Sequence, residues 1–137
     1  MKREDINYFA QKATFEEVEK LYKKIDANYN IKQLTAPTQQ TLLVPVIDPV
    51  SNKQFYSGEV LVTSTIVQLE DEKGWSMVMD DYSQLSLYIA VLDAAFAKNI
   101  YKDEIEKLIN NTKINLENQQ KILNKKVNST KVNFDLL

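Results

Sequence analysis

The 137-residue sequence contains neither cysteine nor histidine, and these two absences exclude most familiar catalytic and metal chemistry. Without cysteine there can be no disulfide and no thiolate metal site. Without histidine, the side chain that most often acts as a general base near neutral pH, and most often binds metals, is missing. Any catalysis would therefore rest on carboxylates, lysine, tyrosine, serine or threonine, and any metal would need oxygen ligands alone.

Other features are scarce. The chain has two glycines and three prolines, and no run of about 18 apolar residues that could cross a membrane. The N-terminal segment lacks the apolar stretch of a secretory signal, so we expect a cytoplasmic location. With a net charge of −2, no phosphate-binding glycine loop and no aromatic residues interleaved among the C-terminal lysines, we expect neither a nucleic-acid nor a membrane partner.

What is present is the composition of one globular domain. Hydrophobic residues make up 44% and charged residues 26% of the chain, which suits a single core over residues 1–137. The apolar periodicity predicts an α+β fold with an N-terminal helical arm over 1–27, a sheet and a central helix over 28–97, and a long helix with an extended tail over 98–137.

Two helical patterns are followed by several strand patterns in the first part of the chain. Helices are predicted at 2–12 and 14–27, the second with a capping box of Thr14 and Glu17. An antiparallel sheet of three to four strands should follow, in which Pro45 indicates an edge or a bulge and Gly58 a bulge or a close backbone approach. The predicted strands are 29–34, 41–47, 54–70 and 75–79, with a turn at 48–53 and a hairpin turn at 71–74 that includes Gly74.

A strongly apolar helix is predicted from residue 82 to about residue 97. Asp81 should be its N-cap, with Gln84 completing a capping box. Since the helix is apolar over most of its circumference, we expect it to be covered on more than one side. Asp93 inside it needs a partner, for which we favour a lysine or arginine of the same chain over one from another chain.

The long helix, predicted at 102–127, carries apolar residues alternately four and three positions apart, with polar residues at Thr112 and Gln119. A helix of roughly 39 Å is too long for so small a domain to cover. The tail alternates apolar and polar residues, as segments that join a sheet edge or groove do. We therefore predict a partner interface formed by Ile105, Ile109, Leu116, Leu123, Val127, Asn128, Val132 and Phe134.

Acidic residues are the remaining candidates for chemistry. The cluster at 70–72 could bind a cation, but it is more typical of a solvated hairpin turn and fits no calcium loop. Asp80 and Asp81 beside Glu59 could perform acid–base catalysis, although helix capping explains them better. We predict no catalytic, cofactor-binding or metal-binding residue in this chain.

The order and spacing of several segments are those of a known family. Residues 55–59 are followed by Leu61, Thr63, Val67 and Leu69, then by Asp71, Gly74, Ser76 and Val78; the helix segment 90–94 and the closing segment 127–134 complete the pattern. Together they resemble the G subunit of the bacterial carbon–phosphorus lyase core complex, the PhnG family. The chain departs from the family at Asp80, Asp81, Leu85 and Leu87, where a Gly-Arg-Asp-like turn and then a His and a Glu are expected, so it resembles a divergent member.

The resemblance implies a role in phosphonate catabolism. The family's transferase complex uses ATP, with magnesium, to place a phosphonate on the ribose C1, which releases adenine and yields a ribose 1-phosphonate 5-triphosphate. This chain would then be a structural or accessory subunit that binds no cofactor itself. Its partners would be the H, I and J subunits, with L as a further candidate, and two copies would be present per assembly.

Two other hypotheses stay open. The first is a stand-alone homodimeric binding module without enzymatic activity, which would use the seam of the long helix for self-association. The second, which the sequence favours least, is an independent enzyme that uses Glu59, Asp80 or Asp81.

Overall fold

The computed structural model describes the backbone of residues 1–135 and the side chains of residues 1–55 and 58–128. It confirms the α+β class. The elements in chain order are α1 (Arg3–Ala10), α2 (Phe15–Asn28), β1 (Ile31–Ile47), β2 (Gln54–Leu69), β3 (Glu72–Met79), α3 (Ser83–Ala97) and α4 (Lys102–Asp135).

The three strands form an antiparallel sheet in the order β1-β2-β3. β1 pairs with β2 along its whole length, from Ile31↔Leu69 to Ile47↔Gln54. β3 is shorter and pairs with β2 only from Leu69↔Glu72 to Val62↔Met79. The far end of the sheet is therefore a two-stranded ribbon of residues 41–47 and 54–61, which we call the hairpin arm.

The first strand is longer than the sequence predicts. The segments 29–34 and 41–47, predicted as separate strands, are parts of the continuous strand β1, which also includes Pro37. In the described part of the chain β1 pairs only with β2, so both of its prolines lie in an edge strand, where a missing N–H is tolerated. The register shifts between Val44 and Pro45, opposite Gly58 and Tyr56, which confirms the predicted bulge.

The hairpin between β2 and β3 is tighter than predicted. Leu69 pairs with Glu72, so the turn consists of residues 70 and 71, and Glu70 takes a positive φ of 56°. The prediction that Gly74 belongs to the turn is wrong, because Gly74 lies within β3 and packs against α3. The close backbone approach considered for Gly58 occurs at Gly74 instead.

The core forms around α3, which packs on β2 and β3 and is flanked by α1, α2 and α4. This confirms that α3 is the central helix. Its N-cap is Tyr82, so the prediction of Asp81 with Gln84 is wrong. Thr14 is the N-cap of α2, as predicted, but its side chain makes no capping hydrogen bond. The fully buried apolar residues of α3 are Ile89, Ala90, Val91, Leu92, Ala94 and Ala95.

Helix α4 continues to Asp135, so the predicted end at residue 127 and the extended tail over 128–135 are wrong. The physical reason is composition, because no glycine or proline follows Gly74 and nothing interrupts the helix. Ile105 and Ile109 are fully buried in this chain's own core, whereas Leu123 is 54% exposed. The side chains of Val132 and Phe134 lie outside the described residues.

Candidate functional site

Asp93 joins the N-terminal helix to the sheet. Its Oδ1 accepts a hydrogen bond from Arg3 Nε at 2.8 Å, and its Oδ2 accepts one from the backbone N–H of Trp75 at 2.9 Å. Arg3 also lies 3.6 Å from Glu72, and the hydrogen bond to Asp93 raises the pKa of Arg3 above its ordinary value. The predicted pairing with a basic residue of the same chain is confirmed. Because both carboxylate oxygens of Asp93 are used, this buried acid has a structural role.

Two amide side chains of the N-terminal segment bond the outer edge of β3. Asn7 Nδ2 donates to Trp75 O at 2.9 Å, and Asn7 Oδ1 accepts from the N–H of Met77 at 2.9 Å. Gln11 Nε2 donates to Met77 O at 3.0 Å, and its Oε1 accepts from the N–H of Met79 at 3.0 Å. The sequence analysis missed these residues, although their spacing of four, shared with Arg3, places all three on one side of a helix.

A buried hydroxyl network anchors the start of α3 to the sheet. Thr63 Oγ1 donates to Asp80 O at 2.6 Å and accepts from the N–H of Tyr82 at 3.2 Å. Ser86 Oγ lies 2.7 Å from Thr65 Oγ1 and 2.9 Å from Ser76 Oγ. Thr63 thus holds the residues that precede α3, whereas no side chain caps the first turn of that helix. These hydroxyls are satisfied by one another and by the backbone, which makes them a structural network.

The acidic side chains of the cluster at 70–72 bond to other residues of this chain. Asp71 forms an ion pair with Lys98, which lowers the pKa of Asp71 below its ordinary value. Glu70 Oε1 accepts from the N–H of Asn30 at 3.0 Å. Among the described residues, no group of three or more acidic side chains is placed so that it could hold a metal ion.

The acids considered for acid–base catalysis lie near the junction of the arm and α3. The backbone N–H of Asp80 donates to Leu61 O at 2.8 Å, and Asp80 takes a positive φ of 67°. Glu59 lies in the arm opposite Leu43. All three acids, Glu59, Asp80 and Asp81, are exposed to solvent.

An open, mostly apolar cavity lies where the α1–α2 turn meets the start of α3. Its volume is about 560 Å³. Phe15, Tyr82 and Leu85 supply its apolar wall, and Asp81 lies at its rim. The cavity could accept an apolar side chain of a partner, and its lining holds no pair of catalytic groups. Sequence patterns miss it because its residues come from two separate segments.

Several large apolar side chains are exposed in the hairpin arm and in α4. In the hairpin arm, Ile47 is 67% and Leu43 53% exposed, and in α4, Ile122 is 57% and Val127 55% exposed. Of the predicted interface, Leu123, Val127 and Asn128 are exposed and Leu116 is partly buried. The arm was not predicted to be exposed, because its alternating and branched residues are equally typical of a core strand.

No helix in the described part of the chain is both long enough and apolar enough to span a membrane.

The fold and the candidate site define the class of the protein. It is an α+β chain with open apolar surfaces, whose described acids are engaged in structural contacts or exposed to solvent. Over residues 1–137 the sequence matches the family described as phosphonate metabolism protein PhnG, and the chain belongs to this family. The resemblance noted from the sequence is thereby confirmed. A search of curated proteins found no match. Membership makes the chain a phosphonate-metabolism subunit associated with the carbon–phosphorus lyase complex.

Proposed function

We propose that this chain is an accessory, non-catalytic subunit of a phosphonate-degrading transferase complex. In the proposed reaction, the complex uses ATP and magnesium to form a ribose 1-phosphonate 5-triphosphate and release adenine. The chain itself binds neither ATP nor metal. It assembles with the H, I and J subunits, with L as a further candidate, and contributes two copies per assembly. The observation that carries the proposal is the family match over the whole chain.

The hairpin arm supports a role in assembly. Beyond the last pair with β3, Val62↔Met79, the described part of the sheet has only the two strands β1 and β2. Val50 at its tip is 92% exposed, and Phe55 is 49% exposed. A two-stranded ribbon is marginally stable alone in water. Exposed apolar area of this extent is typical of a surface that another protein covers.

The second half of α4 supports the same role. Its first turns are packed in the core through Ile105 and Ile109. Further along, the exposed large apolar residues are Ile114, Ile122, Leu123 and Val127. A residue that is buried within the chain cannot also be buried by a partner. Of the interface residues predicted from the sequence, only those in the C-terminal part of α4 can therefore contact another subunit. Leu123 and Val127 are the members that we propose contact another subunit.

The accessory role is supported by the contacts of three residues in α3, at positions where a part in chemistry or binding could be expected. Leu85 and Leu87, which stand where polar residues were expected, are packed against the core. Asp93 is fully engaged by Arg3 and the backbone of Trp75. These contacts stabilise the fold, and both oxygens of Asp93, the buried acid among the described residues, are already used within the chain.

Co-expression with the H, I and J subunits tests the proposal. The wild-type chain should co-purify with them as one complex that releases adenine from ATP when a phosphonate is supplied. Ile47→Lys in the arm and Leu123→Lys in α4 should each reduce recovery of the complex by about tenfold or more, because a lysine in an apolar interface is left without a partner. The matched control is Leu34→Lys, since Leu34 is also exposed and lies in the same strand as Ile47, beside the three-stranded part of the sheet.

Two results would contradict the proposal. If the isolated chain forms a stable dimer by light scattering and fails to co-purify with the other subunits, the stand-alone homodimeric module is the better description. If both lysine variants assemble as well as Leu34→Lys does, the arm and α4 are not the surfaces that the partners cover.

A further inference from the structure

Along the outer edge of β3, the backbone groups between Lys73 O and Met79 N are bonded to side chains, although β3 is the last strand of the sheet. Arg3 Nη2 donates to Lys73 O, and the N–H of Trp75 donates to Asp93. Asn7 bonds Trp75 O and the N–H of Met77, and Gln11 bonds Met77 O and the N–H of Met79. From Lys73 O to Met79 N, these six groups, which would otherwise point away from the sheet, bond to side chains.

The match between the helix and the strand is geometric. Arg3, Asn7 and Gln11 are spaced by four residues, which is about 6 Å along a helix at 1.5 Å per residue. Outward-facing residues of an antiparallel strand are two apart, or about 6.8 Å at 3.4 Å per residue. Outward groups of β3 are therefore met in order along the strand by Arg3 and Asn7 of α1 and by Gln11, the C-cap residue of that helix.

Asparagine and glutamine are suited to this position. Each carries one amide, with an N–H donor and a carbonyl acceptor, and so offers the same pair of groups as a backbone peptide unit. Asn7 and Gln11 each use both groups on β3, as a residue of a neighbouring strand would. The helix is fixed in place by Ile6 and Ala10, which are fully buried, so the amides are held against the strand.

We propose that α1 is an edge cap: Asn7 and Gln11 replace a fourth strand and keep strands of other chains off β3. An uncovered edge is a template for adding a further strand, which leads to aggregation or to pairing with the wrong partner. The contact is an autoinhibitory device built into the fold, since movement of α1 away from the sheet would expose the edge. The inference does not depend on the proposed function.

Hydrogen exchange of single backbone amides in the full-length chain tests the cap. Asn7→Ala should speed exchange of the Met77 amide by roughly tenfold and leave Met79 protected, because one hydrogen bond is lost. Gln11→Ala should do the reverse. In both variants Trp75 should stay protected, since Asp93 accepts its N–H. The control is Glu4→Gln, a change at an exposed position of the same helix, which should alter none of the three.

A general loss of stability would speed exchange of all three amides, whereas loss of one capping side chain should speed exchange of one amide only. Faster exchange at all three amides in both variants, or at none, overturns the proposal. Single substitutions are used because each removes only one side chain from a helix whose apolar face is unchanged. Circular dichroism of each variant checks that the fold is retained.

Strand addition is measured with the double variant Asn7→Ala/Gln11→Ala and a synthetic peptide of residues 62–69 (VTSTIVQL), the segment that pairs with the inner edge of β3. The double variant should bind the peptide at least tenfold more tightly than wild type, or self-associate in sedimentation at concentrations where wild type does not. If neither occurs in a variant whose β3 amides exchange faster, α1 only supports the fold and the autoinhibitory role is wrong. If the double variant unfolds, the peptide is tested on the two single variants with the same criterion.

Discussion

The two glycines of the chain meet opposite structural requirements. A Cβ added at Gly74 would lie 2.1 Å from the carbonyl oxygen of Ala90 and 2.6 Å from the Cβ of Ala94, so β3 and α3 pack too closely for any side chain there. A Cβ at Gly58 would meet nothing within 4 Å. Neither glycine has a positive φ. The difference between them is therefore one of packing.

Gly74→Ala should destabilise the protein by about 1–3 kcal/mol, because backbone atoms of α3 must move away from the sheet. The matched control, Gly58→Ala, should be neutral or stabilising by about 0.4–1 kcal/mol, because alanine restricts the unfolded chain without a clash in the folded one. Urea unfolding followed by circular dichroism measures both. Equal effects of the two substitutions would show that the close approach at Gly74 is not a constraint.

At the scale of elements, α4 is one helix with two environments. Its first half packs on α1 and α3, and its second half extends beyond the core. The seam of residues four and three apart is continuous through this change, so the same pattern stabilises the fold at Ile109 and remains exposed at Leu123. The boundary between the buried and exposed parts of α4 lies where the other elements of the domain stop packing against the helix.

Because of this difference in burial, substitution by alanine should reduce the free energy of unfolding in the first half of α4 and leave it nearly unchanged in the second half. Ile109→Ala should reduce the free energy of unfolding by about 2–5 kcal/mol, because it leaves a cavity at a fully buried site. Leu123→Ala should change it by no more than about 0.5 kcal/mol in the isolated chain, because that side chain is already largely in water. Thermal and urea unfolding of the isolated variants provide the comparison. A large loss at Leu123 would mean that the second half of α4 folds back on the domain.

For the whole molecule, three aspartates with lowered pKa values predict a loss of stability under acid conditions. The pKa of Asp71 is lowered by the hydrogen bond from Lys98, that of Asp5 by the backbone N–H of Lys2 and then by Lys113, and that of Asp48 by the backbone N–H of Val50 and then by the Ser51 hydroxyl. In each case the unfolded chain binds the proton more tightly than the folded one does. The stabilisation is thus complete above the ordinary aspartate pKa of 3.8 and is lost as the pH falls below it.

The free energy of unfolding should therefore be flat from about pH 5 to 7, where no histidine titrates, and should fall below about pH 4. Urea unfolding at constant ionic strength across this range measures the profile. Because Asp71 is exposed and Asp5 and Asp48 are only partly buried, added salt should weaken the acid-side slope. A step in stability near pH 6 would contradict the prediction.

Local patterns were sufficient for much of the fold. The helices begin and end close to the predicted residues up to α3, and the bulge opposite Pro45 and the in-chain partner of Asp93 were both predicted. These features depend on side-chain periodicity or on the chemistry of a single residue. The tail at 128–135 was mispredicted because its alternating residues suit a strand, whereas the absence of glycine and proline lets α4 continue.

The sequence by itself determined what chemistry is excluded, the α+β class and the family, because these depend on composition and on residues close together in the chain. Tertiary structure alone decided that Asn7 meets Trp75, 68 residues away, that Gly74 lies against Ala90, and that α4 is buried at Ile109 and exposed at Leu123. Such contacts depend on how α1, α3 and the sheet pack together. The pattern of residues within a single helix or strand cannot predict how these elements pack together.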